Sequence, residues 1–75
     1  MKFKQSDPSL FRAKRLVCEL TTSELADICY VTRQTVSNIE KGRVSNKATI
    51  TLIGLALDGV ALEKNLTPVF EALER

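Results

Sequence analysis

The sequence predicts a single compact all-α domain built from about five short helices. Three observations carry this expectation. The chain has 75 residues, near the lower end of what folds alone, so it has room for one small core. Helix start and stop signals recur at short intervals, at Asp7-Pro8, Thr21-x-x-Glu24, Thr32, Gly42, Asp58-Gly59 and Thr67-Pro68. No stretch shows sustained period-two alternation, since MKFKQ is too short to count as a strand. The 44% apolar content is that of a globular chain rather than a disordered one.

Each element follows from local chemistry. Asp7 is an N-cap followed by proline at the first helical position, so a first helix is expected from about Pro8 to Cys18. Phe11 and either Leu16 or Val17 should turn inward, with Leu20 buried just past the end. Thr21 and Glu24 form a capping box that opens a second helix, ending near Cys29. Tyr30 and Val31 carry a turn, Thr32 caps a third helix, and Gly42 ends it as the residue past the cap. Ser45 or Asn46 caps a fourth helix running to about Leu57. Its residues Ile50, Leu52, Ile53, Leu55, Ala56 and Leu57 are apolar nearly all round, which predicts a central helix packed on several sides. Asp58-Gly59 should end it, with a short fifth helix over 61–66 and a C-terminal segment from Thr67-Pro68 onward.

Composition excludes several classes of function. No apolar run approaches the ~18 residues needed to span a membrane. The N-terminus lacks the apolar segment of a signal peptide, which points to the cytoplasm. There is no histidine, and Cys18 and Cys29 alone cannot supply a tetrahedral zinc set, so no metal or cofactor is expected and both thiols read as small core residues. With no clustered carboxylate pair and no phosphate-binding loop, the chain does not read as an enzyme.

The net charge of +2 is unevenly distributed. Residues 1–47 hold nine Lys and Arg against five Asp and Glu, a net of +4, and residues 48–75 hold two against four, a net of −2. A basic half beside a mildly acidic one is the layout of a phosphate-facing surface, although ordinary charge scatter would also produce it.

Residues 22–41 read TSELADICYVTRQTVSNIEK. The spacing fits two short helices meeting near a right angle, with Ala26 small enough for the crossing and Leu25, Val31, Val36 and Ile39 locking the second helix onto the first. The outer face of the second helix carries Thr32, Arg33, Gln34, Thr35, Ser37 and Asn38. An ordinary helical hairpin would place long Lys and Glu side chains there. Short or planar hydrogen-bonding groups are poor helix formers but well suited to bases and phosphates, so this pattern favours a helix-turn-helix that binds DNA.

The segment from Phe11 to Val60 resembles the Cro/XRE-type, lambda-repressor-like helix-turn-helix family. Arg15, LTTSELA (Leu20–Ala26), VTRQTVSNIEKGR (Val31–Arg43) and DGVALEKNL (Asp58–Leu66) carry the resemblance. It implies a five-helix DNA-binding domain acting on double-stranded operator DNA as a homodimer, as a small transcriptional repressor does. Carried over by position, it implies base contacts from Thr32, Arg33, Gln34 and Asn38. Backbone contacts are implied for Thr22, Ser23, Thr35, Ser37, Lys41 and Arg43, and a structural ion pair for Arg15 and Glu40. Three features depart from the family pattern, one being helix 4, which has no proline before it and reads one residue shorter than usual before Gly59. Thr22 stands where glutamine usually touches phosphate. Tyr30 stands where glycine usually adopts a left-handed conformation, so either Tyr30 offsets a cost of order 1 kcal/mol by covering the core edge or the turn differs.

Leu66, Val69, Phe70 and Leu73 are spaced as an apolar stripe over residues 67–75 and just before, which serves either a dimer contact or the domain's own core. Lys2 and Lys4 are placed for an arm on DNA or for a solvated terminus. Two other classes of function fit the same residues: the antitoxin of a toxin–antitoxin pair, binding a protein partner as well as DNA, and a protein-interaction module that has lost DNA binding.

Overall fold

The computed structural model describes residues 8–43 and 46–74. Among these residues the chain is all-helical: α1 (Pro8–Val17), α2 (Thr22–Cys29), α3 (Arg33–Glu40), α4 (Lys47–Glu63) and α5 (Thr67–Glu74). None is long and apolar enough to cross a membrane. The expected Asp7 cap, the Lys2 and Lys4 arm and the Ser45 alternative lie outside the described residues.

One core joins all five helices. Phe11 and Cys18 enter it from the first helical unit, Leu25, Ala26 and Cys29 from α2, Val36 and Ile39 from α3, Ile53, Leu57 and Ala61 from α4, and Phe70 from α5. Val17, not Leu16, packs against it, and Leu16 is exposed. Both thiols are free and buried, and burial pushes their pKa up, which keeps them protonated and inert.

Helix starts follow the expected chemistry. Thr21 accepts from the Glu24 amide at 3.1 Å, and Glu24 accepts from the Thr21 amide at 2.9 Å, completing a reciprocal capping box. Thr32 accepts from the Thr35 amide at 3.2 Å, and Asn46 accepts from the Ala48 and Thr49 amides at 2.9 and 3.3 Å.

Helix ends share a device that the sequence displays at only one place. α1, α2, α3 and α4 each terminate through a left-handed residue, respectively Glu19, Tyr30, Gly42 and Asn65. At each end the following amide reaches back five residues: Leu20 to Arg15, Val31 to Ala26, Arg43 to Asn38 and Leu66 to Ala61. This is the Schellman arrangement, which satisfies carbonyls that the helix leaves open. In three of the four, the residue past the left-handed one is apolar (Leu20, Val31, Leu66) and packs against the core. A single glycine, Gly42, signals the motif in the sequence, and a β-carbon there would also crowd Pro8 Cγ at 3.2 Å.

Three expectations are corrected. Tyr30 keeps the left-handed turn (φ 56°, ψ 40°) but covers nothing, being 96% exposed. Its backbone strain is met by the Val31 and Tyr30 amide bonds, not by its side chain. α4 does not stop at Asp58-Gly59, and there is no separate helix over 61–66. One 17-residue helix continues to Glu63 because Ile53, Leu57 and Ala61 fall four apart on a buried stripe that outweighs the ~1 kcal/mol penalty of an internal glycine. Finally, α4 packs against α1, α2 and α5 but is not covered all round. Leu52, Leu55 and Leu62 are 44%, 65% and 71% exposed.

Two consequences are measurable. Replacing the solvent-exposed, left-handed Tyr30 by glycine should stabilise the domain by about 1 kcal/mol, raising Tm by roughly 4–8 °C; an unchanged or lower Tm would remove the strain assignment. The Thr21 amide and hydroxyl hold the Glu24 carboxyl below the ordinary glutamate range. A depressed pKa contributes stability above the unfolded-state value and loses it as pH falls through the folded one. Urea midpoints measured between about pH 6 and pH 3 should therefore fall more steeply for the wild type than for Glu24→Gln.

Candidate nucleic-acid interface

The surface around α3 is built from the inside out. Val36 and Ile39 are 1% and 3% exposed and fix the helix against its neighbours. α3 packs most extensively on α2 and next on α1. The three-residue connection Tyr30–Thr32 sets its entry, with Thr32 extended (φ −83°, ψ 156°) as its N-cap. The Gly42 turn sets its exit.

Arg15 ties this helix to the rest of the domain. Its Nε donates to Glu40 Oε2 at 2.7 Å and its second terminal nitrogen to Glu40 Oε1 at 3.0 Å, while the first donates to the Leu20 carbonyl at 2.9 Å. The two side chains are only 10% and 8% exposed. The Glu40 hydrogen bonds push the Arg15 pKa up against the opposing effect of burial, so the guanidinium stays charged. This is a bidentate pair in which each of the three guanidinium nitrogens makes a hydrogen bond, the geometry that a nearly buried charge requires.

With α3 held from beneath, its outer side chains gather on one surface. Thr32, Arg33 and Gln34 are exposed, and Thr35, Ser37 and Asn38 are half-buried. Gln34 Nε2 donates to Asn38 Oδ1 at 2.9 Å, so two planar amides one turn apart are pre-aligned. The hydroxyls of Thr32 and Thr35 lie 2.9 Å apart. Arg33 makes no ion pair with any described residue and extends free from the first turn. Lys41 and Arg43 are exposed on the turn that follows. Thr22 and Ser23 lie in the first turn of α2, where amides precede the intrahelical ladder.

The basic charge of the N-terminal half divides between fold and surface. Lys14, like Arg15, turns inward. Its ammonium lies 2.6 Å from Glu74, 3.8 Å from Asp58 and 5.1 Å from the centre of the Phe70 ring, binding α1 to α5. Nothing in the sequence flags this contact, because Lys14 and Glu74 are 60 positions apart. Arg12, Arg33, Lys41, Arg43 and Lys47 are left exposed among the described residues. The opposite character appears between α4 and α5, where a cleft is lined by Asp58, Ala61, Thr67, Phe70, Glu71 and Glu74. The cleft thus gathers acidic side chains, while the turn after α3 carries exposed basic ones.

Among the described residues no group of three or more His, Cys, Asp or Glu is placed to hold a metal ion. Comparison with protein-family models, curated proteins and solved structures finds no match.

Removing one member of the Arg15–Glu40 pair leaves a nearly buried charge alone. Glu40→Ala and Arg15→Ala should each cost roughly 3 kcal/mol or more in urea unfolding. The double change to Arg15→Met with Glu40→Leu should recover much of that loss, because no charge remains to desolvate. Additive losses across the cycle would show that the two side chains act independently.

Proposed function

We propose that this protein is a sequence-specific binder of double-stranded DNA, a lambda-repressor-like helix-turn-helix domain acting as a small transcriptional repressor. The observation that carries the proposal is α3 itself. It is clamped by Val36, Ile39 and the Glu40–Arg15 pair while Arg33 and Gln34 are exposed and Asn38, half-buried, is hydrogen-bonded to Gln34. In this mechanism the N-terminal turns of α3 enter a major groove. Arg33 matches the O6/N7 edge of guanine, and the Gln34–Asn38 amide pair matches the N6/N7 edge of adenine. Thr32 contributes a further hydroxyl at the base edge. Thr22, Ser23, Thr35, Ser37, Lys41 and Arg43 flank it and hold phosphate or sugar.

Size supports a dimer. The longest dimension of the molecule is 28 Å, shorter than the ~34 Å between successive major-groove half-sites, so two half-sites require two copies. Two copies on a near-palindromic operator block access by polymerase sterically. The apolar residues in and just before α5 divide between the domain's own core and its surface. Phe70 is in the domain's own core, Leu66 and Leu73 are half-buried, and Val69 is exposed.

Selection of binding sites from random DNA should return a two-half-site operator. On that operator, Arg33→Ala and Gln34→Ala should each weaken binding about 10- to 100-fold and relax preference at one base position, whereas Lys41→Ala should weaken all sequences alike and reduce the salt slope by about one. No enrichment in the selection, or unaltered sequence preference in both α3 variants, would sink direct readout by α3.

A further inference from the structure

The outer face of α4 is apolar and uncovered. Leu52, Leu55 and Leu62 are 44%, 65% and 71% exposed, and Ile28 of α2, which shares a groove with Ala56 and Gly59, is 44% exposed. Gly59 lies on the same face as these leucines, since 52, 55, 59 and 62 are separated by three, four and three residues. A β-carbon at Gly59 would meet nothing within 4 Å. It therefore forms the floor of a shallow groove lined by Ile28, Ala56, Gly59, Val60 and Glu63.

This stripe is complementary to itself. Its three-four-three spacing is symmetric about the level of Leu57. A two-fold axis through that level sets a second α4 antiparallel to the first. Leu55 then meets Gly59, Leu52 meets Leu62, and Glu63 meets Thr51, with no like charges opposed. A large side chain falls opposite the one position that has none, twice over, which is what an isologous interface requires. The exposed fractions of the three leucines and Ile28 amount to on the order of 400 Å² of apolar surface per copy. That is about half of what each partner gives to a standard interface, with the polar rim to supply the rest.

We propose that two copies of this chain associate through the outer face of α4, antiparallel, with Leu55 of each seated in the groove at Gly59 of the other. The contact deepens the dimer proposed above by naming its surface, and it forms without DNA. α3 packs on α1 and α2 and stays uncovered on both copies.

Sedimentation equilibrium without DNA tests the proposal. The wild type should show a monomer–dimer equilibrium with a Kd on the order of 10 µM. Leu55→Glu should raise that Kd at least about 30-fold with helix content unchanged, because the side chain touches solvent and not the core. Gly59→Leu should do the same by filling the groove while raising the Tm of the monomer, since it removes a helical glycine and meets no neighbour. Val69→Lys on α5 should leave the Kd unaltered. For the register, Leu52→Cys protein mixed with Leu62→Cys protein should form the mixed disulfide in preference to either homodisulfide, the native thiols being buried. A wild type that stays monomeric to about 1 mM, or a dimer indifferent to Leu55→Glu and Gly59→Leu, overturns the interface; homodisulfides in preference overturn the antiparallel register. Failure of DNA binding with an intact α4 dimer would overturn only the function proposed above.

Discussion

Arg15 satisfies three acceptors at once, two on Glu40 and one on the Leu20 carbonyl, and the placement of α3 depends on it. α3 is only eight residues long and buries two side chains. A helix so short is marginal by itself, and two apolar contacts leave it free to roll. The bidentate pair fixes its rotation about its own axis, because both carboxylate oxygens are engaged in one plane. The Leu20 bond anchors the same guanidinium to the α1–α2 turn. One nearly buried cation thus sets three elements in register and helps to turn the polar residues of α3 outward.

Short helices place unusual weight on their ends. Where a helix has two turns, unsatisfied terminal groups are as numerous as satisfied ones. This chain meets the demand with one repeated turn, in which a left-handed residue is followed by an apolar one that returns to the core. Leu20, Val31 and Leu66 therefore serve both as the end of one helix and as packing for the next. Glu19 and Tyr30 accept backbone strain so that this geometry can form, and the hydrogen bonds and burial around them outweigh it.

Charge and hydrophobicity are segregated over the surface. Two of the basic residues in the N-terminal half neutralise carboxylates inside the fold, and those that remain exposed include Arg33, Lys41 and Arg43 at and just beyond α3. Acidic groups collect between α4 and α5. The apolar excess lies on the outer face of α4, at Leu52, Leu55 and Leu62. The binding of DNA by α3 and the association through α4, both proposed above, would use different faces of the domain.

Much of the helical framework was legible from residue types alone. Thr21 with Glu24, Thr32, Asn46 and Gly42 act within three or four residues of themselves, so local chemistry is enough to place them. The polar face of α3 was legible for the same reason, since Val36 and Ile39 define its inner side by spacing. The length of α4 was not, because a local stop signal at Asp58-Gly59 competes with burial of Ile53, Leu57 and Ala61, and burial is decided by partners distant in sequence. The left-handed ends at Glu19 and Asn65 were likewise hidden, and at Tyr30 the sequence left two turn geometries open, as the stabilising contacts are made by the core and not by the residues themselves. The Lys14–Glu74 contact and the exposure of Leu52, Leu55 and Leu62 belong to the same class. The sequence by itself determined where the capped helices start and what each could display; only the tertiary structure decided how far α4 runs and which side of each helix is covered, because coverage depends on where the chain returns.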